Sequence, residues 1–500
     1  MKLLTIGLFI TSLTLNSNAK STEELRIAFP VKQIQLDPQK IEDMYSMTVV
    51  SQLYSKLFRY TPDSAVQPDL VDHWEVSENK TIYTFHLKQM KFSDGSKITA
   101  HHIENSLKRI FYLKSALTSD LSFIKGAKQF EKTNNLNEIK ILAKDDDTLI
   151  IETEHPTGLL IYLLAVPDVG VLKIKSPKEK VELNTKTAFS GPYKLIQNLP
   201  EKMELHKWRS SRLDSENPPQ LVIINLFSKV DPIKLSAGLI SDTSNFMTFD
   251  ESKNPLANNS NWRPVASEAT NERFIVMNPE LIPLNVRKWL MSQVNPADFV
   301  KTLDDHSIEP AFGFIPNILP GHLKSSKIKP VGDLKLNKTL TIKITYGENL
   351  PYAEKFKSYL LSVWKNPNLN FEFEALSVAD YLNVLFQKKG QIVIGARGLD
   401  YPEGYSIITY FRSNLDTNFF FINNKKIDAE IDLAAKELKN EKRNKIYESI
   451  QELVLDEATV IPLAFGSWKK YYWSKRVKTI PAHPLGVHFI PFEMIRMEKQ

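Results

Sequence analysis

Beyond residue 20, five serines stand three residues ahead of a lysine, at Ser77, Ser122, Ser326, Ser362 and Ser467. On a helix that spacing sets the lysine amine one turn from the serine hydroxyl, the arrangement of acyl-transfer enzymes. Five occurrences in a chain rich in both residues are what chance supplies, and no KTG follows them; Lys186-Thr187-Ala188 comes nearest. HExxH and GxSxG are absent, which removes the commonest zinc-protease and α/β-hydrolase signatures. His101-His102 is the one adjacent histidine pair. Neighbours on a helix point about 100° apart, so the pair suits one metal poorly and is expected as two exposed helix residues. Between Trp468 and Lys478, four aromatic residues alternate with five cations. That pattern fits single-stranded nucleic acid, or a strand with one packed face and one face of cation stems. The second reading is the expectation, with no nucleic-acid partner. No catalytic residue and no metal ligand is assigned, which favours a binding protein over an enzyme.

The chain has 500 residues, enough for about two to four domains. Its 64 basic and 58 acidic residues give a net charge of +6, too small to imply a polyanionic partner. Cysteine is absent, which excludes disulfides, thiol catalysis, cysteine-bound metals and a lipid-anchoring N-terminal cysteine. Residues 1–19 read as a signal peptide: Lys2, then the apolar Leu3 to Leu15, then small residues at Ser17 and Ala19 before the cleavage point. A soluble exported protein is expected, periplasmic in a bacterium with two membranes.

Period-two patterns predict strands at Leu25–Phe29, Tyr83–Leu87 and Leu149–Ile151. Thr99 is expected to cap a helix presenting Ile103, Leu107, Ile110 and Phe111 on one face. Helices are also expected over Asn285–Val294, Tyr352–Trp364 and the buried Leu159–Val166, with one long helical stretch from Ile427 to Leu455 before a strand at Val460–Phe465. Glu251–Ala266 and Leu323–Leu336 are expected as connecting loops. Alternating strands and helices make the expected class α/β or α+β with several mixed sheets.

Leu36-Asp37-Pro38, Pro68-Asp69-Leu70, Tyr83-Thr84-Phe85-His86-Leu87-Lys88 and Phe92-Ser93-Asp94-Gly95 follow one another in an order that resembles the large solute-binding proteins of ABC importers. The likeness is to family 5, the oligopeptide- and dipeptide-binding group. Ser190-Gly191-Pro192-Tyr193, Asn285-Val286-Arg287 and Glu309-Pro310-Ala311-Phe312-Gly313 extend it. The resemblance implies a two-lobed periplasmic-binding-protein fold of the large type II cluster, with a hinge and an extra inserted domain. Lobe one would take 20–57, 182–268 and 472–500, the inserted domain 58–181, and lobe two 269–471. It further implies a monomer without cofactor that closes on a short peptide and delivers it to an inner-membrane permease and its ATPase. Murein peptides, metal complexes or sugars on the same scaffold are the alternatives, with a secreted acyl-transfer enzyme outside it.

In peptide-binding members an aspartate of lobe two pairs with the ligand's α-ammonium group. The matching stretch here runs from Ile394 to Glu403 and places Asp400 at that position, followed by Tyr401. The family's tryptophan is replaced by Arg397 and its upstream arginine by Ile394. Arg397 then either recognises an acidic group of the ligand or pairs with a glutamate of the protein. Glu42 and Met44, after the Asp37-Pro38 motif, are the expected lobe-one contacts.

Overall fold

The computed structural model describes residues 23–61, 65–211, 213–244, 254–265, 270–413, 415, 418–466, 471–481 and 490–498. The expected signal peptide, Ser467 and the start of the aromatic-basic stretch lie outside these residues.

Three sheets carry the architecture. The first has the order Glu24–Phe29, Leu221–Leu226, Lys202–Lys207, Tyr193–Leu199, with the opening pair parallel and the rest antiparallel. Leu25, Ile27 and Phe29 enter its core, as their alternation predicts, beside Val222, Ile224 and Leu205. The second sheet is antiparallel, in the order Val71–Val76, Ile82–Leu87, Thr148–Glu152, Ile141–Ala143. Helix Ala100–Leu113 covers it with Ile103, Leu107, Ile110 and Phe111 all buried. The histidine pair divides: His101 is exposed, but His102 is half-buried, and its Nδ1 accepts the Thr99 N–H at 3.1 Å. A capping role therefore replaces the expected exposure at His102.

The third sheet is mixed and six-stranded: Ile308–Pro310, Val460–Gly466, Asn271–Met277, Ile392–Arg397, Leu340–Gly347, Leu369–Leu376. Val460–Gly466 is buried along its whole length. Its Pro462 is tolerated because the register against Asn271–Met277 slips between Arg273 and Phe274, making a bulge. Helices Leu284–Gln293 and Ala353–Val363 agree with expectation.

Three expectations need correcting. Leu159–Val166 is buried but holds a single helical turn, Leu160–Leu163. In the loop expected at Glu251–Ala266, Trp262–Val265 forms a strand against Tyr471–Ser474, a pairing too remote in sequence to leave a local pattern. The long helix is two helices, Lys425–Lys436 and Asn440–Asp456, with Leu438 left 41% exposed in the break. Leu438 kept the apolar spacing without serving a core. Glu437 and Lys439 turn extended there, and Glu437 Oε1 accepts the Lys439 N–H at 2.8 Å.

The Asp37-Pro38 motif is structural. Asp37 caps the short turn Pro38–Lys40, and its two oxygens accept Arg109 Nη1 and Nη2, each at 2.7 Å. Both side chains are buried, and Arg109 also donates to Gln39 Oε1 at 2.8 Å. The pair rivets the first sheet's connecting segment to the helix of the second. The core of 57–171 is continuous with that of 274–464, whereas 25–54, 172–226 and 477–497 share a separate core. Arg109→Ala leaves Asp37 charged and buried, so urea unfolding is expected to lose about 3–5 kcal/mol of stability. A loss below about 1 kcal/mol contradicts the rivet.

Candidate functional site

Strand Ile392–Arg397 runs through the six-stranded sheet and releases the chain into a loop that carries Asp400, Tyr401 and Glu403. Gly395 lets the strand pass beneath the Phe274 ring; a Cβ there would lie 2.2 Å from Phe274 Cε2. Two buried ion pairs hold the loop at its ends.

The first is Arg397 with Glu272, its register partner on Asn271–Met277, with Nε donating to Oε2 at 2.8 Å. The rings of Phe274, Phe314, Tyr410, Phe411 and Phe420 lie 5.2–6.0 Å from the guanidinium carbon. Arg397 Nη1 and Nη2 and Glu272 Oε1 are buried without hydrogen-bond partners. Burial outweighs the arginine's pull and pushes the Glu272 carboxyl up to about 7. Of the two readings of Arg397, the geometry presents the glutamate-paired one.

The second pair lies under Glu403. Arg443 Nε donates to Glu403 Oε1 at 2.9 Å, and the Tyr447 hydroxyl lies 2.8 Å from both Glu403 oxygens. Arg443 Nη1 donates to the Glu437 carbonyl at 3.0 Å and Nη2 to Asn440 Oδ1 at 2.8 Å. The break between the two helices therefore supplies acceptors that a continuous helix would have spent on itself.

Between these anchors Asp400 is exposed, and its Oδ2 accepts the Tyr410 hydroxyl at 2.9 Å. Protein still surrounds it closely enough that burial raises its carboxyl above the usual range. A group reached by water yet enclosed by protein stands on the floor of a cleft. Tyr401 lies beneath that floor, 2% exposed with its hydroxyl unbonded.

The facing wall comes from 58–171. Asp120 and Asp168 are both pushed up to about 7, by burial first and then by the Asp400 charge. No ion pair reaches Asp120, Asp168 or Asp400 among the described residues. Tyr60, whose hydroxyl donates to the Tyr162 carbonyl at 2.6 Å, is within electrostatic reach of Asp168 and Asp400. The two walls meet at Gly158, where a Cβ would lie 2.4 Å from Arg443 Nη1. Glu42 and Met44 stand exposed at the start of helix Met44–Leu53 and bond to none of 397–403. Gln39, three residues before Glu42, donates to the Asp168 carbonyl at 2.9 Å and sets this segment beside the acidic wall.

Sequence reasoning missed Asp120, Asp168, Glu272 and Arg443, whose meeting depends on pairings between segments 40 or more residues apart. It also missed the convergence of His73, Glu75 and His86, whose ligand atoms lie within 4.8 Å of one another on two neighbouring strands. Two of the serines followed by lysine spend their hydroxyls elsewhere: Ser77 Oγ donates to Asn79 and Ser362 Oγ to the Tyr359 carbonyl.

The model of bacterial extracellular solute-binding proteins, family 5 Middle, matches residues 65–419. The dipeptide-binding protein DppE of Bacillus subtilis is 23% identical over 86% of this chain and 84% of its own. The probable D,D-dipeptide-binding periplasmic protein DdpA of Escherichia coli is 22% identical over 90% of each. Among solved structures, the periplasmic murein tripeptide-binding protein MppA in its unliganded open form superposes with a TM-score of 0.76 at 18% identity, covering 96% of this chain and 98% of its own.

A carboxyl held above its unfolded value keeps its proton in the folded chain, so stability falls as pH rises from about 4 through 7. Asp120→Asn has no proton to lose. It is expected to melt with wild type near pH 4 and above it at pH 8; an equal difference at both pH values contradicts the facing-carboxyl geometry.

Proposed function

Because this chain belongs to the bacterial extracellular solute-binding proteins of family 5, we propose that it captures short peptides in the cleft above Asp400 and delivers them to an ABC permease. One observation carries the reading. Three carboxyl groups, Asp400, Asp120 and Asp168, lie within reach of one another's charge and have no ion-pair partner among the described residues. Enclosed carboxylates without a counter-charge are costly, and a ligand ammonium group supplies the missing charge. The relatives' names, dipeptide-binding among them, agree with this chemistry.

In this reading lobe two is 269–471 and presents Asp400. Lobe one (20–57, 182–268 and 472–500) brings Glu42 and Met44 to the rim, and 58–181 forms the inserted domain. Arg397 acts through Asp400, lowering its carboxyl by charge from behind the aromatic rings. The rest of the peptide is held by main-chain hydrogen bonds, leaving its side chains in wet pockets. The protein works as an exported, periplasmic monomer, released from the segment 1–19, without catalysis. No helix among the described residues is long and apolar enough to cross a membrane.

The test is calorimetric titration of ligand-stripped protein with a mixed tripeptide pool and with the same pool N-acetylated. The free-amine pool is expected to bind and the acetylated pool to bind at least about 100-fold more weakly. Asp400→Asn is expected to remove that discrimination. Equal binding of the two pools by wild type contradicts the ammonium anchor, and silence from both contradicts the peptide reading. A labelled β-lactam is expected to leave the protein unacylated.

A further inference from the structure

A second cavity, of about 170 Å³, lies where the segment 51–60 meets Lys88, Arg209 and the C-terminal Pro491–Glu493. Four cations line it, Lys56, Arg59, Lys88 and Arg209, against two acids, Asp69 and Glu493. The charges do not cancel locally. Asp69 Oδ2 accepts the Lys56 backbone N–H at 3.0 Å, and its Oδ1 lies 3.9 Å from Arg59. Lys88 is engaged with the Asp69 carbonyl at 2.7 Å. Arg209 donates to Ser55 Oγ at 2.8 Å, approaches the Met90 sulfur at 3.9 Å and lies 5.5 Å from the centre of the Trp208 ring, with no carboxylate partner among the described residues. Lys56 is 8% exposed, and its ammonium group makes no hydrogen bond among the described residues. Arg59 Nε and Ser51 Oγ, on two of the lining residues, are buried and unbonded.

Buried polar groups are nearly always hydrogen-bonded, so this concentration of unbonded donors needs a cause. We propose that the cavity is an anion site, separate from the peptide cleft, that takes a small oxyanion of the phosphate or sulfate type. Two guanidinium forks and an ammonium offer donors to several oxygens at once, which suits a tetrahedral anion. Burial raises the Glu493 carboxyl, which weakens its opposition to an anion. The volume equals roughly five or six waters at about 30 Å³ each. That admits a phosphate with a few waters and falls below the ~300 Å³ of an organic-ligand pocket. Tyr60 lines both this cavity and the edge of the cleft, so an anion here also stiffens the wall facing Asp168 and Asp400.

The experiment follows melting temperature and calorimetric heat as inorganic phosphate is added at pH 7, beside sodium chloride of equal ionic strength and a sulfate arm. Wild type is expected to bind one phosphate and to melt several degrees higher in 10 mM phosphate than in matched chloride, with sulfate acting alike. Lys56→Met and Arg209→Gln are each expected to respond to phosphate only as to chloride, while Asp400→Asn keeps the full response. Lys56→Met is expected to melt no lower than wild type in chloride, since an unbonded ammonium has been removed. Should it fail to fold, Arg209→Gln, at a partly exposed position, decides alone. Equal phosphate and chloride responses in wild type overturn the site, as does a phosphate-specific response that survives in the variants.

Discussion

The far end of the loop that presents Asp400 is held by a buried interaction, the Glu403 carboxylate between Arg443 and Tyr447. An ion pair this enclosed adds little net stability, because desolvation cancels most of the attraction. Its worth is positional. Arg443 is fully sequestered and spends its remaining donors on Glu437 and Asn440, so the guanidinium has one place to be. The carboxylate it holds then fixes the chain three residues beyond Asp400. Gly158 of the opposite wall closes against the same guanidinium. Removing either charge would leave its partner buried, unpaired and costly, and would free the loop and the wall contact together.

That arrangement explains why a helix the sequence pattern runs straight through is broken. Ile431 and Ile450 keep helical spacing and are buried, with Ile446 and Leu453 half-buried on the same core. Leu438 has the same spacing but lies in the turn that frees the Glu437 carbonyl for Arg443. Elsewhere, local signals carried real information. The alternation at Leu25–Phe29 and the face of helix Ala100–Leu113 follow from side-chain period, and the strand at Val460–Phe465 from an unbroken apolar run buried on both faces. The ordered motifs around Asp37, Tyr83 and Phe92 pointed to the family that the match over 65–419 shows. Hidden from the sequence were charges that meet across folds of the chain: Asp120 and Asp168 opposite Asp400, Glu272 under Arg397, and Lys56 beside Arg209. Their partners are set by sheet order and domain packing, which leave no period in the neighbouring residues.

Charge is distributed unevenly within the molecule. The cleft concentrates carboxyl groups, and the cavity on the far side of Tyr60 concentrates ammonium and guanidinium groups. On the Asp400 side an aromatic cage surrounds Arg397, where a cation is held by ring faces and a single hydrogen bond. Each of these buried charge groups is left incomplete by the protein itself, and in the cleft the incompleteness has the sign of a ligand ammonium group.

The central claim is that a ligand ammonium completes that group of carboxyls, and proton counting addresses it directly. With Asp120 and Asp168 held near 7 in the empty protein, each is about half protonated at pH 7. Arrival of a cation drives protons off. Calorimetry of one free-amine tripeptide in two buffers of different ionisation enthalpy, at pH 7, measures that release. The account predicts net release of protons on binding, shrinking at pH 9 and reduced in Asp120→Asn. Binding with no proton release at pH 7, or with uptake, would contradict it.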